Sequence, residues 1–424
     1  MSRQERPGAD PAGSTECRLF EMLEAAGLMG TCGMVDLGGD GWTLEPVDPP
    51  ADAPAAVHAM VGRPIPAVVP GHVHQDLIRA GIIEHPDHGD AEASMQWIGR
   101  TDWRFRRAFD LRETLAGEAV DLVCLGLDTI AEVRLDGRHV ATAASMHVPH
   151  RLRLGREVTA GRHELEVTFR GPMAWAQREQ AARGHRPCNG DWGPYNHVRT
   201  AACSFGWDWG PQVAGCGIWR PIRLHAWSGS RLAALRPLVV RADAEEAVVR
   251  VVADLEHAGP EDRTRAAAAA PGTDAVPSGN LALLVRVFDP DGRLVAGGTA
   301  LPSPEASGED AAMVTGGGGT TALRPRSIHA VVPIRRPRRW WPRGMGEPDR
   351  YRIDVTLLDQ DGQLPLDAAT CRVGLRTVAL DTAPDEHGSA FTLLVNGEPV
   401  FCRGANWIPC GLFPAAVPAD TVRQ

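Results

Sequence analysis

Ile130-Ala-Glu-Val-Arg-Leu-Asp-Gly-Arg-His-Val140 is the stretch that decides the fold class. Apolar and polar residues alternate on both sides of Asp136-Gly137, a dipeptide that tolerates the left-handed backbone of a two-residue hairpin turn. The pattern predicts two antiparallel strands with one dry face and one wet face. Similar stretches flank it: Trp103-Arg-Phe-Arg-Arg-Ala-Phe109, Ala119-Val-Asp-Leu-Val-Cys-Leu125, His163-Glu-Leu-Glu-Val-Thr-Phe169 and Ile218-Trp-Arg-Pro-Ile-Arg-Leu-His-Ala-Trp227. Short strands separated by turn signals predict a β-sandwich or barrel. His74 to Ile83 is expected to form a short amphipathic helix. Residues 172–200, rich in Gly, Pro and polar side chains, are expected to cover one end of the sandwich as long loops.

A second sandwich is expected from near Arg231. Its strands are read at 235–241, 248–255, 281–288, 327–334, 352–358 and 371–380. Two low-complexity tracts, 264–280 and 302–321, hold too little apolar surface to offset chain entropy and are expected to be disordered. From Ala390 the pattern changes again: Phe-Thr-Leu-Leu-Val-Asn-Gly-Glu-Pro-Val predicts a hairpin turning at Asn396-Gly397, leading into a polar and aromatic cluster.

Composition narrows the function classes. The 46 Gly and 34 Pro among 424 residues exceed the usual combined share of ~12% and favour turns and short strands over long helices. Net charge is −9, there is no Lys, and no Arg-rich tract interleaves with aromatics, which argues against a nucleic-acid partner. No window of 18 apolar residues is present, so no membrane-spanning segment is expected. The first sixteen residues, MSRQERPGADPAGSTE, have no apolar core and are expected to be disordered, with no secretory signal. Nine Cys without a CxxC pair signal neither a disulfide framework nor a zinc site, so a reduced, cytoplasmic protein is expected. Oligomeric state is not readable.

Two clusters could carry chemistry. In Asn196-His-Val-Arg-Thr-Ala-Ala-Cys-Ser-Phe-Gly-Trp-Asp-Trp-Gly-Pro211, Asp208 sits between Trp207 and Trp209 in a Gly- and Pro-bounded turn. Indole faces stack on the C–H face of a sugar ring, and a fixed carboxylate accepts hydrogen bonds from adjacent hydroxyls. The alternative is that the two indoles plug the sandwich and Asp208 caps a loop amide. The second cluster is Arg403-Gly-Ala-Asn-Trp-Ile-Pro409, where Asn406 and Trp407 either face a site at the end of a barrel strand or form a capped turn. Trp340-Trp341-Pro342 is read as core and turn. His72 with His74, and His85 with His88, are read as surface residues, ligand pairs being the alternative. There is no GxSxG, no HExxH, no Walker loop and no GxGxxG after a strand, and no convincing catalytic carboxylate pair appears.

Together these stretches resemble the β-mannosidases of glycoside hydrolase family 2. The carrying motifs are Val69-Pro-Gly-His-Val-His-Gln-Asp-Leu, Gln96-Trp-Ile-Gly-Arg-Thr-Asp-Trp, Gly126-Leu-Asp-Thr-Ile-Ala-Glu-Val-Arg-Leu-Asp-Gly, Cys203-Ser-Phe-Gly-Trp-Asp-Trp-Gly-Pro, Gly217-Ile-Trp-Arg-Pro, Trp340-Trp-Pro-Arg-Gly-Met-Gly, Gly374-Leu-Arg-Thr-Val and Gly404-Ala-Asn-Trp-Ile-Pro. The resemblance implies a mainly β chain. A jelly-roll, galactose-binding-like sandwich would span 17–229 and an immunoglobulin-like sandwich 230–380, with the beginning of a (β/α)8 TIM barrel over 381–424. It implies exo-acting, retaining hydrolysis of terminal β-mannosides, with Trp207, Asp208, Trp209, Asn406 and Trp407 touching substrate and no metal or cofactor. The acid/base and nucleophile Glu would lie deeper in the barrel, so the 424-residue chain is expected to be inactive by itself. Ser145-Met-His147 departs from the family, where Asn-Met-Phe is commoner. A family 2 enzyme of other specificity and a non-catalytic carbohydrate-binding protein are the alternatives.

Overall fold

The structure is a computed structural model that describes residues 32–111, 119–154, 158–188, 193–258, 281–301, 326–358 and 364–423. The tracts 1–16, 264–280 and 302–321 lie outside the described residues. Two compact units emerge, Gly33–Ala226 with Trp407–Gln424, and Trp227–Asn406.

In the first unit the strands run in chain order: β1 Cys32–Asp36, β2 Gly39–Val47, β3 Ile65–Val69, β4 Asp102–Leu111, β5 Ala119–Cys124, β6 Leu127–Asp128, β7 Ile130–Leu135, β8 Arg138–Ala144, β9 His150–Leu154, β10 Gly161–Phe169, β11 Gly217–Ile218 and β12 Ile222–Trp227. They form a four-stranded sheet β1-β12-β5-β9, a six-stranded sheet β3-β2-β4-β10-β7-β8 and the pair β11-β6. One apolar core joins the two larger sheets, with Leu122, Ile222 and Leu224 on one side and Trp42, Trp103, Phe105 and Phe169 on the other. Phe105 and Phe169 meet edge to face at 5.6 Å, an arrangement that aromatic quadrupoles favour.

The β7–β8 hairpin turns where expected. Asp136 and Gly137 take φ of 50° and 78°, which places Leu135 opposite Arg138. On β4 the wet face carries Arg104 and Arg106. Arg106 bonds Glu45 at 2.8 Å and Glu166 at 2.9 Å, so neighbouring strands pair opposite charges across the ladder.

Two expectations for this unit need correction. Residues 172–200 are not loops throughout, because Pro172–Arg183 is a helix. Pro172 occupies the first turn, where its missing N–H costs nothing, and Ala, Gln, Glu and Arg follow, all strong helix formers. Gly184, at φ 85°, ends it. The other correction is His72 and His74, which are buried at 7% and 1% exposure, not on the surface. The expected helix at 74–83 forms as Val73–Arg79.

The second unit is also a sandwich. Its strands are β13 Ser230–Ala242, β14 Glu246–His257, β15 Ala282–Phe288, β16 Leu294–Ala300, β17 Arg326–Arg335, β18 Tyr351–Leu358 and β19 Pro365–Val373. The sheets β13-β14-β17 and β16-β15-β18-β19 share a core of Val249, Val251, Val285, Val287, Ile353 and Val355. The strand read at 371–380 starts earlier and breaks at Gly374, where a Cβ would lie 2.7 Å from the Trp340 ring. Trp340 is held there, its N–H donating to Leu375 O at 3.0 Å under the Arg376 guanidinium.

Short strands follow: β20 Val378–Asp381, β21 Pro384–Asp385, β22 Gly388–Ser389, β23 Thr392–Val395 and β24 Glu398–Val400. The hairpin at Asn396-Gly397 forms, with both residues at positive φ. Asn396 Nδ2 also donates to Trp340 O at 3.0 Å, which ties the sheet β20-β23-β24 to the sandwich. Beyond it, 401–413 contains no strand, and every residue from 401 to 410 is exposed. The expected barrel strand is thus not formed among the described residues. A first parallel strand needs a neighbour for its backbone groups.

Candidate functional site

Phe205 seats the Trp-Asp-Trp segment. Its ring is fully buried among Ile130, Met173, Ala176, Val198 and Ala214, at the end of a 3₁₀ turn Ala202–Phe205. Gly206, at φ 109°, reverses the chain as only glycine readily does. A tight turn follows: Trp207 N–H donates to Gly210 O at 3.3 Å and Gly210 N–H to Trp207 O at 3.4 Å. Asp208 and Trp209 occupy its tip.

Trp207 is partly buried, Asp208 is exposed, and Trp209 is 36% exposed. The structure therefore gathers three of the five expected site residues into one turn and leaves Asp208 exposed at its tip. Such a carboxylate accepts hydrogen bonds and cannot donate. One acid of this kind can orient a hydroxylated ligand but cannot serve as both acid and nucleophile. Asn406 and Trp407 lie in the exposed 401–410 stretch, Trp407 at 77% exposure. Further along, Leu412 Cδ2 approaches to 3.9 Å of where a Gly210 Cβ would stand.

The base of the turn is held from several sides. Val213 N–H donates to Ser204 O at 3.0 Å, and Gln212 N–H to Glu92 Oε1 at 2.6 Å. Gln96 Nε2 returns a bond to Gln212 O at 3.0 Å. Ser145-Met-His147, where the sequence departs from the family, also contributes. Met146 is buried at 6% exposure and its N–H donates to Arg199 O at 3.1 Å. In turn, Ala201 N–H points at Met146 Sδ, 2.9 Å away.

Next to the site stands the buried pair His72 and His74. Their Nδ1 atoms are 3.3 Å apart, and Phe413 lies over both rings at 5.1 and 5.7 Å. A Cβ on Gly215 would sit 2.5 Å from His72 Cε1, so only glycine fits. Burial pulls the His72 imidazole down to about 3 and holds His74 well below its ordinary value, with His72 as a lesser cause. Burial thus favours the neutral form of both rings. Nothing in the local sequence signals this, because it depends on Gly215 and Phe413, both far away along the chain. Among the described residues, no three His, Cys, Asp or Glu gather as a metal site.

Comparison with known proteins matches residues 42–220 to the "Glycosyl hydrolase 2 galactose-binding domain-like" family model and residues 247–376 to "Glycosyl hydrolases family 2". Beta-mannosidase B of Aspergillus oryzae is 28% identical over 368 residues, covering 85% of this chain and 38% of the relative. Beta-mannosidase B of Aspergillus niger is 30% identical over 354 residues, covering 82% and 36%. The crystal structure of a beta-D-mannosidase from Dictyoglomus thermophilum superposes with a TM-score of 0.74 at 27% identity, covering 92% of this chain and 42% of that one. The chain spans about two-fifths of the length of these relatives.

Proposed function

Because the chain belongs to family 2 of the glycosyl hydrolases, we propose that it is the N-terminal part of a β-mannosidase. The enzyme would be exo-acting and retaining, releasing terminal non-reducing β-D-mannose. The observation that carries this reading is similarity to β-mannosidases along nearly the whole chain, at a TM-score of 0.74. Residues 17–229 then act as the jelly-roll domain, 230–380 as the immunoglobulin-like domain and 381–424 as the entry to a TIM barrel. Trp207 and Trp209 stack on the sugar, and Asp208 accepts bonds from its hydroxyls. Asn406 and Trp407 join them once the barrel is in place. The paired carboxylates, ~5–5.5 Å apart in a retaining enzyme, belong to the length that this chain does not span. Free thiols at Cys124, Cys188, Cys203, Cys216, Cys371, Cys402 and Cys410 support a reducing, cytoplasmic setting.

Sequencing the reading frame past codon 424 and assaying both lengths on an aryl β-mannoside tests the proposal. The longer product is expected to turn over and the 424-residue chain not to exceed a buffer control. A longer product that prefers a β-glucuronide or β-glucosaminide would overturn the specificity. Turnover by the 424-residue chain would overturn the placement of the catalytic pair.

A further inference from the structure

Between the end of β10 at Phe169 and the start of β11 at Gly217, the segment Thr200–Gly217 carries the Trp207–Gly210 turn, and both of its ends meet at one residue. At the outgoing end, Thr200 Oγ1 donates to Asp128 Oδ1 at 2.7 Å. At the returning end, Gly217 of β11 pairs with Asp128 of β6. The same Oδ1 accepts the Thr129 hydroxyl, and Asp128 is 5% exposed. Thr200 has one hydroxyl proton, committed to the carboxylate, so its 3.3 Å approach to Met146 Sδ is a packing contact.

Burial is the largest influence on the Asp128 carboxyl and pushes its pKa up, while the Thr129 and Thr200 hydroxyls and the His147 charge pull it back. A buried acid with so few donors is costly if its role is only to fill space. Apolar packing would serve the core better. The acid's position at the closing point of the Thr200–Gly217 loop explains its presence.

We infer that Asp128 is a positioning residue that closes the base of the Thr200–Gly217 loop, through the Thr200 hydroxyl and the β6–β11 pair, and so fixes where the Asp208 carboxylate stands. Its consequence for catalysis rests on the reading of Asp208 as a substrate contact; the clamp itself does not. Asp128 touches no substrate in this scheme. It acts through the loop.

Amide exchange of the 424-residue chain, read by mass spectrometry, tests the clamp. Thr200→Val keeps the shape and removes the hydroxyl. Peptides within 200–217 are expected to exchange roughly 10- to 100-fold faster, the range for a lost bond to an acidic acceptor, while β10 keeps its wild-type rate. Thr200→Ser, which retains the hydroxyl, is expected to restore slow exchange. Asp128→Asn, which keeps an acceptor oxygen of the same shape, is expected to fall between. Unchanged exchange in Thr200→Val overturns the clamp, as does equal acceleration in β10, or a Thr200→Ser loop as fast as that of Thr200→Val. In the longer product, a faster-exchanging loop with unchanged kcat/KM on an aryl β-mannoside keeps the clamp and removes Asp208 from substrate contact.

Discussion

Asp208 is the residue on which the functional reading turns. It is exposed at the tip of a closed turn, so its side chain contributes little to folding and is free to serve recognition. In the longer product, a carboxylate bonded to sugar hydroxyls contributes about 1.5–3 kcal/mol. Asp208→Ala is therefore expected to lower kcat/KM by roughly 10- to 150-fold, at ~1.4 kcal/mol per decade. If the bonds tighten toward the transition state, kcat falls along with the rise in KM. The thermal midpoint should stay within about 2 °C of wild type, as surface changes usually do. A lowered midpoint with unchanged kcat/KM would instead make Asp208 a loop cap. This turn was legible from the sequence, because Gly, Asp and Pro dictate turns by local chemistry. Asp128 was not, since it stands 72 residues from Thr200 and falls between the stretches read as strands at 119–125 and 130–140.

Elements differ in legibility for the same reason. The β7–β8 and β23–β24 hairpins follow from Asp-Gly and Asn-Gly alone. Strand β16, Leu-Val-Ala-Gly-Gly-Thr-Ala, escaped detection because Leu294 and Val295 point outward at 61% and 44% exposure and its glycines show no period. The helix at 172–183 was obscured by the Gly- and Pro-rich chain around it. On the short helix Val73–Arg79, burial makes stability depend on pH. An unfolded imidazole titrates near 6.5, whereas His72 is held at about 3 in the fold and His74 is also lowered. Between those values the unfolded chain binds protons that the folded chain refuses, so stability falls as pH drops below 6.5. At pH 5 the His72 ring alone costs about 2 kcal/mol. Asp76 has the opposite sign. Its carboxyl is pushed up to about 6 by burial against the pull of Arg79, so the stability it confers is lost as pH rises from about 4 to 6. Urea unfolding of the wild type and of His72→Gln at pH 7.5 and 5.0 separates the two, because Asp76 is common to both proteins. His72→Gln should lose about 2 kcal/mol less than wild type on acidification. Equal losses would show that the rings titrate freely.

At the scale of the whole molecule, the composition makes ordinary globular cores and the two sandwiches supply them, yet the chain keeps large apolar side chains in water. Phe391 is 81% exposed, Phe401 86%, Trp407 77% and Ile408 52%. Three of these fall within eight residues of chain, in the exposed stretch 401–410. Isolated exposed apolar residues are ordinary, but large ones set so closely along the chain mark a segment that another surface covers. In the proposed enzyme that cover is the catalytic barrel, and the 424-residue chain leaves the segment open. It is therefore expected to associate at micromolar concentration and to bind a hydrophobic dye. The double substitution Phe401→Ser and Trp407→Ser should reduce both while leaving the thermal midpoint unchanged, because side chains so exposed bury little area on folding. A midpoint that drops with the double substitution would mean these side chains are packed in solution. A monodisperse, dye-negative wild-type chain would mean that the segment is already covered, and the barrel would lose its claim to it.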